Sequence, residues 1–187
     1  RSGVVKAVDG ISFELRQGET LGIVGESGSG KSMTAWSILG LVPKPAGRIV
    51  GGNIIFQGEN LLGKSPGEMR EIRGSGICMV MQDPLTSLNP VFTVGNQIIE
   101  SLAMDSRETR RSLRKKAVEL LANVRIPAPE TRLTSYPHQM SGGMRQRVVG
   151  AIAMSRSPSL LIADEPTTSL DATIQLQYLK LLKDIQA

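Results

Sequence analysis

The chain has 187 residues, a formal net charge of +5 from 22 Lys and Arg against 17 Asp and Glu, and only 3% aromatic residues. That length suffices for one α/β domain with a real core. The scarcity of aromatics speaks against a protein that stacks bases on aromatic platforms, and no apolar run approaches the roughly 18–20 residues needed to span a bilayer.

Cys78 is the single cysteine, so no disulfide forms within the chain and a reducing compartment fits. It lies in an apolar run and reads as a small core residue. The N-terminus lacks the apolar core of a signal peptide, which predicts a soluble chain facing the cytoplasm.

In chain order, Val4–Val8 and Ile11–Leu15 read as two short strands around an Asp9-Gly10 turn. Thr20–Val24 is an apolar run that reads as a buried strand. Gly25-Glu26-Ser27-Gly28-Ser29-Gly30-Lys31-Ser32 then spells G-x-x-x-x-G-K-[ST], a phosphate-binding loop. Its glycines let successive N–H groups turn inward on an anion. Lys31 would reach the β- and γ-phosphates, and the Ser32 hydroxyl would ligate Mg²⁺. A helix is predicted from Ser32 to Leu41, with Met33, Trp36, Ile38, Leu39 and Leu41 as its apolar residues and its start under the phosphates. A flexible Gly/Ser linker would need neither Lys31-Ser32 nor the flanking strand and helix.

Pro43, Pro45 and Gly47 are expected to end that helix. Asn53–Phe56 resembles a strand followed by a turn over Gln57-Gly58-Glu59-Asn60, and Glu68–Arg73 a short helix with Pro66 near its start. Ile77–Met81 reads as a buried strand running into Gln82, whose amide could ligate Mg²⁺ and bond the lytic water or could be a plain loop residue. From Thr93 to Val124 the pattern turns helical, with Leu113, Ala117, Leu120, Leu121 and Val124 on one face. Pro127 and Pro129 stop it.

Ser141-Gly142-Gly143 precedes a helix expected to carry Val148, Ala151, Ile152 and Ser155 inward. Serine and paired glycines at a helix start make a second anion nest, or a helix cap and glycine turn. One nucleotide needs one such loop, so the surplus suggests a second nucleotide or one shared at a dimer interface. Leu160–Ala163 is a strand ending in the acids Asp164-Glu165, at the sheet edge where ligands bind. Asp164 would help hold Mg²⁺ and Glu165 could orient or deprotonate the attacking water; alternatively the pair caps the next helix. As neighbours on a strand, the two are expected to point to opposite sides. A final amphipathic helix carries Ile174, Tyr178, Leu181, Leu182 and Ile185. Positive charge clusters at Arg107, Arg110, Arg111, Arg114, Lys115 and Lys116, read as a solvated helix face or a contact to a partner or anionic headgroups.

The phosphate loop, Gln82, Ser141-Gly142-Gly143, Asp164-Glu165 and Ser169-Leu170-Asp171 occur in the order of an ABC-transporter ATPase domain, which the chain resembles over essentially its whole length. Gln82–Pro90, Tyr136–Arg147 and Ala163–Thr168 are similar to the peptide-importer group, the oligopeptide, dipeptide and nickel ATPase subunits. The resemblance implies a P-loop NTPase (RecA-like) α/β fold: a parallel sheet core over 1–84 and 156–187, an N-terminal antiparallel β part, and a helical subdomain inserted at about 85–155. It implies ATP bound by residues 25–32 with Met33 following. It also implies Mg²⁺ on Ser32 and Gln82 with Asp164 in support, and Glu165 as the catalytic carboxylate aided by Gln82 and Lys31.

In this family two domains pair head to tail around two ATP molecules. Ser141, Gly142 and Gly143 then meet the γ-phosphate held by the other protomer, and Asp171 links the two sites. Gln82 and the segment after it resemble the region that senses integral membrane permease subunits. A solute-binding protein would be reached only indirectly, nucleic acid is not an expected partner, and the place of work is the cytoplasmic face of the membrane.

Several features depart from the family pattern. The signature reads Met-Ser-Gly-Gly-Met where Leu-Ser-Gly-Gly-Gln is usual, which keeps the serine and glycines. The adenine-stacking aromatic, the switch histidine and a cysteine-rich extension have no counterpart, so the resemblance implies a truncated single domain over 1–187. His138 precedes the signature and reads as structural or capping. The alternatives to a transport ATPase are a nucleotide-binding module without turnover and a non-transport ABC protein.

Overall fold

The computed structural model describes residues 3–81, 87–104, 106–168 and 171–186. They fall into two compact units, Arg1–Arg73 and Gly74–Ala187.

In the first unit, helix α1 spans Lys31–Ile38. Gly40, at φ +63°, ends it rather than the expected prolines. The Gly40 N–H donates to Ser37 O at 3.1 Å and the Leu41 N–H to Trp36 O at 2.8 Å. This paired closure needs a left-handed residue, which glycine supplies without a Cβ clash. Strands β1 (Ile55–Phe56) and β2 (Glu59–Asn60) pair antiparallel around Gln57 and Gly58, both at positive φ. The four-residue turn expected over Gln57–Asn60 is thus a two-residue hairpin turn with its second strand included. Helix α2 (Pro66–Glu71) starts from Ser65, whose hydroxyl accepts from Glu68 N while Glu68 reaches back to the Ser65 N–H. Arg73 donates to the Leu39 carbonyl at 3.2 Å, placing a cation on the carbonyl end of α1.

The expected strands Val4–Val8, Ile11–Leu15 and Leu21–Val24 form no ladder among the described residues. Val4 is 97% and Val24 94% exposed. Alternating or apolar residues make a strand only where a neighbour supplies hydrogen bonds and cover, and no neighbour pairs with this stretch. The antiparallel pairing in this unit is β1–β2 instead.

The second unit holds β3 (Ile77–Val80) and β4 (Leu160–Ala163), paired parallel with Ile77 opposite Leu160 and Val80 opposite Ala163. Among the described residues the α-helices α3 (Val94–Ala103), α4 (Arg110–Asn123), α5 (Pro129–Arg132), α6 (Gly142–Met154) and α7 (Ala172–Gln186) accompany them. The single helical stretch expected from Thr93 to Val124 is two helices. Thr93 and Thr109 each accept a backbone N–H three residues on and so start a helix of their own. α4 ends before its prolines. Arg125 adopts φ +57° there, and the Ile126 N–H returns to Leu121 O at 2.9 Å. Arg125 is held there by its ion pair to Asp184 at 2.7 Å and by Arg147, which donates to its carbonyl.

Val80, Ile98, Leu121, Leu133, Val148 and Tyr178 centre the core of this unit. Leu113, Ala117, Leu121 and Val124 are buried as their spacing predicts. Each large apolar side chain so buried contributes about 1.5–3 kcal/mol.

Candidate functional site

The loop over residues 25–30 is built by backbone geometry. Ser29 N–H closes a turn on Glu26 O at 3.2 Å, with Gly28 at φ +79° and Gly30 at φ +93°. A Cβ on Gly30 would lie 2.2 Å from the Ala7 carbonyl oxygen, and one on Gly25 2.6 Å from Ser29 Oγ. Glycine is therefore required sterically at position 30, where the overlap is with backbone at positive φ, whereas at position 25 only the Ser29 side chain would have to rotate.

Lys31 opens α1 directly after Gly30, and its ammonium donates to Gly25 O at 2.8 Å and Glu26 O at 2.9 Å. The side chain thus folds back over the loop and presents its charge there. Ser32 and Met33, partly buried, complete the first turn. No side chain caps this helix start and no acid sits in its first turn, so its first N–H groups and dipole face outward on an exposed loop.

A second helix start lies in the other unit. Ser141, exposed, accepts from Met144 N at 3.3 Å and caps α6. The first intrahelical bond runs from Arg145 N to Ser141 O, which leaves the N–H groups of Gly142 and Gly143 ahead of the ladder. The helix cap, one of the two readings of this motif, is present. A Cβ on Gly143 would sit 3.0 Å from Ile174 Cγ2 of α7, so this start rests against the first turn of α7.

The acids follow β4. Asp164 N–H donates to Val80 O at 2.9 Å and extends the ladder by one bond. Glu165 has already left the strand, at φ +45°. The two side chains are therefore separated by a left-handed turn, not by strand alternation as expected. Such a conformation costs a non-glycine residue of order 1–3 kcal/mol and clusters at working sites. Thr168 holds the Glu165 carboxylate at 3.0 Å from Oγ1 to Oε2, a partner three residues on that the sequence reading overlooked. Asp171 accepts from Thr173 N and Ile174 N and so caps α7, a role legible from its place just before that helix. Gln82, Ser169 and Leu170 lie outside the described residues.

The donors expected for a cation, the Ser32 hydroxyl, the Gln82 carboxamide and the Asp164 carboxylate, are all hard oxygen ligands, which suits Mg²⁺. Among the described residues no group of three His, Cys, Asp or Glu could hold a metal. A site of this kind takes its remaining ligands from phosphate and water.

Cys78 is half-buried in β3, and burial pushes its thiol up while Arg156 pulls it down. That fits an inert core thiol. His138 stacks on Tyr136 with centroids 5.6 Å apart, the structural role expected of it. After the undescribed segment 82–86, Gln97 bonds Asn89 N, Asn89 O and Phe92 O at 2.9–3.1 Å. It props a loop whose Val91 and Phe92 are exposed beside a groove of about 380 Å³ that also includes Met104 and Ile152.

The sequence profile of the family described as "ABC transporter" matches residues 8–168. The chain is 56% identical over 183 residues to the "Probable peptide ABC transporter ATP-binding protein y4tR" of Sinorhizobium fredii, covering 98% of this chain and 55% of that protein. It is 53% identical over 184 residues to the oligopeptide transport ATP-binding protein OppD of Bacillus subtilis, covering 98% and 51%. It therefore spans about half the length of the curated relatives it matches. Among solved structures, the post-hydrolysis dimer of the ATP-binding cassette MJ0796 bound to ADP and Pi superposes with a TM-score of 0.82 at 28% identity. That match covers 96% of this chain and 75% of that one.

Proposed function

The chain belongs to the ABC transporter family, with the α/β fold of its ATP-binding cassettes, and from that premise we propose that it binds and hydrolyses ATP to energise import of peptides or similar small solutes. The observation that carries the reading is the Lys31 ammonium anchored on the Gly25 and Glu26 carbonyls at the uncapped start of α1. A cation and backbone N–H groups on one small loop with no side-chain cap are a receptor for polyphosphate.

In this reading residues 25–33 hold ATP. Ser32 and Gln82, with Asp164 in support, would hold Mg²⁺, which would supply neutralisation of phosphate charge. Glu165, held by Thr168, takes the proton of the attacking water. Little covalent chemistry is asked of the protein beyond positioning and charge. Ser141, Gly142 and Gly143 meet the γ-phosphate of a second cassette in a head-to-tail pair. MJ0796 is described as a dimer, which supports that arrangement. The core is read as 1–84 and 156–187 with a helical part at about 85–155. The exposed loop at Val91 and Phe92 faces permease subunits at the cytoplasmic side of the membrane. Among the described residues no helix is long and apolar enough to cross one.

The test is phosphate release at saturating Mg-ATP beside direct nucleotide binding. Glu165→Gln is expected to lower turnover about 10²–10⁴-fold with binding kept, and Lys31→Ala to lose binding itself. Binding without release in the unaltered chain would make it a nucleotide-binding module instead. Unchanged turnover in Glu165→Gln would remove Glu165 from the role of base.

A further inference from the structure

The basic cluster on α4 is not uniform. Lys116 is committed to Glu108, which also accepts from Ser112; the Lys116 contact, then the Ser112 bond, hold the Glu108 carboxyl below its usual range. The Arg110 and Arg114 side chains make no ion pair or hydrogen bond among the described residues, although they stand one turn apart on one face. Two like charges at that spacing repel, and Arg110 also sits in the first turn, where the dipole is already positive and no acid answers it. Among the described residues no carboxylate pairs with either guanidinium to offset that repulsion.

The two arginines share a cavity of about 210 Å³. Its opposite wall is the start of α3 and is rigid. Val94 N–H bonds Ser135 O and Gly95 N–H bonds Leu133 O, both at 2.9 Å. A Cβ on Gly95 would meet Leu133 O at 2.6 Å, so no side chain fits between the two segments. The α3 amides are thereby used up, and recognition falls to side chains. Thr93 Oγ1 accepts from Asn96 N, which leaves the hydroxyl proton to be donated, and Asn96 lines the same cavity. Ile99 and Leu133 supply an apolar floor that weakens screening. None of the described residues lining the cavity is acidic.

We propose that this cavity is a phosphate-type oxyanion site, independent of the nucleotide loop, with Arg110 and Arg114 as its forked donors. Guanidinium pairs match tetrahedral oxyanions through parallel N–H bonds. The volume falls below the roughly 300 Å³ at which drug-sized pockets begin, so one phosphate group fits and a nucleotide does not. A free phosphate and the phosphate of an anionic lipid headgroup present the same chemistry.

The experiment uses the full chain carrying Lys31→Ala, which removes phosphate binding at the loop. Equilibrium dialysis with inorganic phosphate at fixed ionic strength reads the free source. Cosedimentation with phosphatidylcholine vesicles, with and without phosphatidylglycerol, reads the headgroup. In whichever arm binding occurs, R110Q/R114Q is expected to weaken it at least about tenfold, or 1.4 kcal/mol. R111Q/K115Q removes the same charge one position along the helix and is expected to change it less than about twofold, because screened charge outside the cavity contributes little. Equal losses in the two double variants would reduce the effect to diffuse surface charge and overturn the site, as would absence of binding in both arms.

Discussion

Two helices of this protein begin at glycines proposed to form anion nests and are supported in different ways. α1 starts after Gly30, in a left-handed conformation with no side-chain cap, and buries only Thr34 and Ala35. α6 starts from the Ser141 cap and buries Gln146, Val148, Val149, Gly150 and Ala151. The first nest owes its shape to local steric exclusion and one lysine. The second owes its position to the core beneath it. Substitutions around α1 should therefore register in nucleotide affinity, and substitutions under α6 in folding stability.

The largest expected effect tests the core side of that contrast. Leu121 is fully buried against the α6 and α7 cluster. Leu121→Ala should cost about 2–5 kcal/mol of unfolding free energy, read from denaturant midpoints. Nucleotide affinity of the folded fraction should stay unchanged. A parallel loss of affinity would mean that the loop depends on this core after all.

Tyr178 sharpens the same side. Its hydroxyl and both polar ends of the Gln146 side chain are buried without a hydrogen-bond partner, and a Cβ on Gly150 would lie 3.1 Å from that hydroxyl. Burial pushes the Tyr178 phenol up to about 12, while the neighbouring carboxamide pulls weakly the other way. The folded state therefore holds the proton more tightly than the unfolded chain, whose phenol titrates near 10. Stability from this group is complete below pH 10 and is lost as pH rises from there through about 12, amounting to about 3 kcal/mol. Tyr178→Phe should flatten that part of the pH profile and leave neutral-pH stability unchanged or higher, since an unpartnered hydroxyl is removed. An identical alkaline loss in Tyr178→Phe would rule the phenol out as its source.

On the loop side, Gly30→Ala combines a left-handed alanine, costing about 1–2 kcal/mol, with the overlap on the Ala7 carbonyl. Nucleotide affinity should fall at least about tenfold, while the stability of the second unit, followed by its own probe, should not move. Retained affinity would show that the loop reaches its binding shape by a route other than the one Gly30 enforces.

How much of this was legible in the sequence follows the same division. Where a pattern encodes its own burial, reading largely succeeded: Leu113, Ala117, Leu121 and Val124 are buried and Leu120 partly so, and the strands expected at Ile77–Met81 and Leu160–Ala163 form, the first ending at Val80. Where an element depends on a distant partner, reading overreached, as at Ile11–Leu15 and Leu21–Val24, whose patterns are strand-like and whose ladder partners are not found. Local stops were misassigned for a chemical reason. Proline is the louder signal, yet Gly40 and Arg125 take the left-handed position first and end α1 and α4 before any proline is reached. The family was legible because motif residues and their spacing carry it. The left-handed turn at Glu165 was not, because backbone strain is imposed by the surroundings of a residue rather than by its neighbours in sequence.

The smallest stability effect separates the two roles that Ser141 combines. As a cap, its oxygen takes the Met144 N–H; as part of the nest, it would face a partner's γ-phosphate. Ser141→Ala should cost about 1 kcal/mol of stability, and Ser141→Asp only a few tenths, because aspartate caps as well as serine. The two variants should diverge in nucleotide-driven pairing. In a Glu165→Gln background that retains ATP, Ser141→Ala should weaken pairing, while Ser141→Asp should abolish it by setting a carboxylate against phosphate. Sedimentation with and without Mg-ATP reads this directly. A stable ATP-dependent dimer of the aspartate variant would place Ser141 away from the phosphate and leave it as a cap alone, whereas loss of pairing at unchanged stability would show that a helix start built like an ordinary cap also serves as half of a nucleotide site.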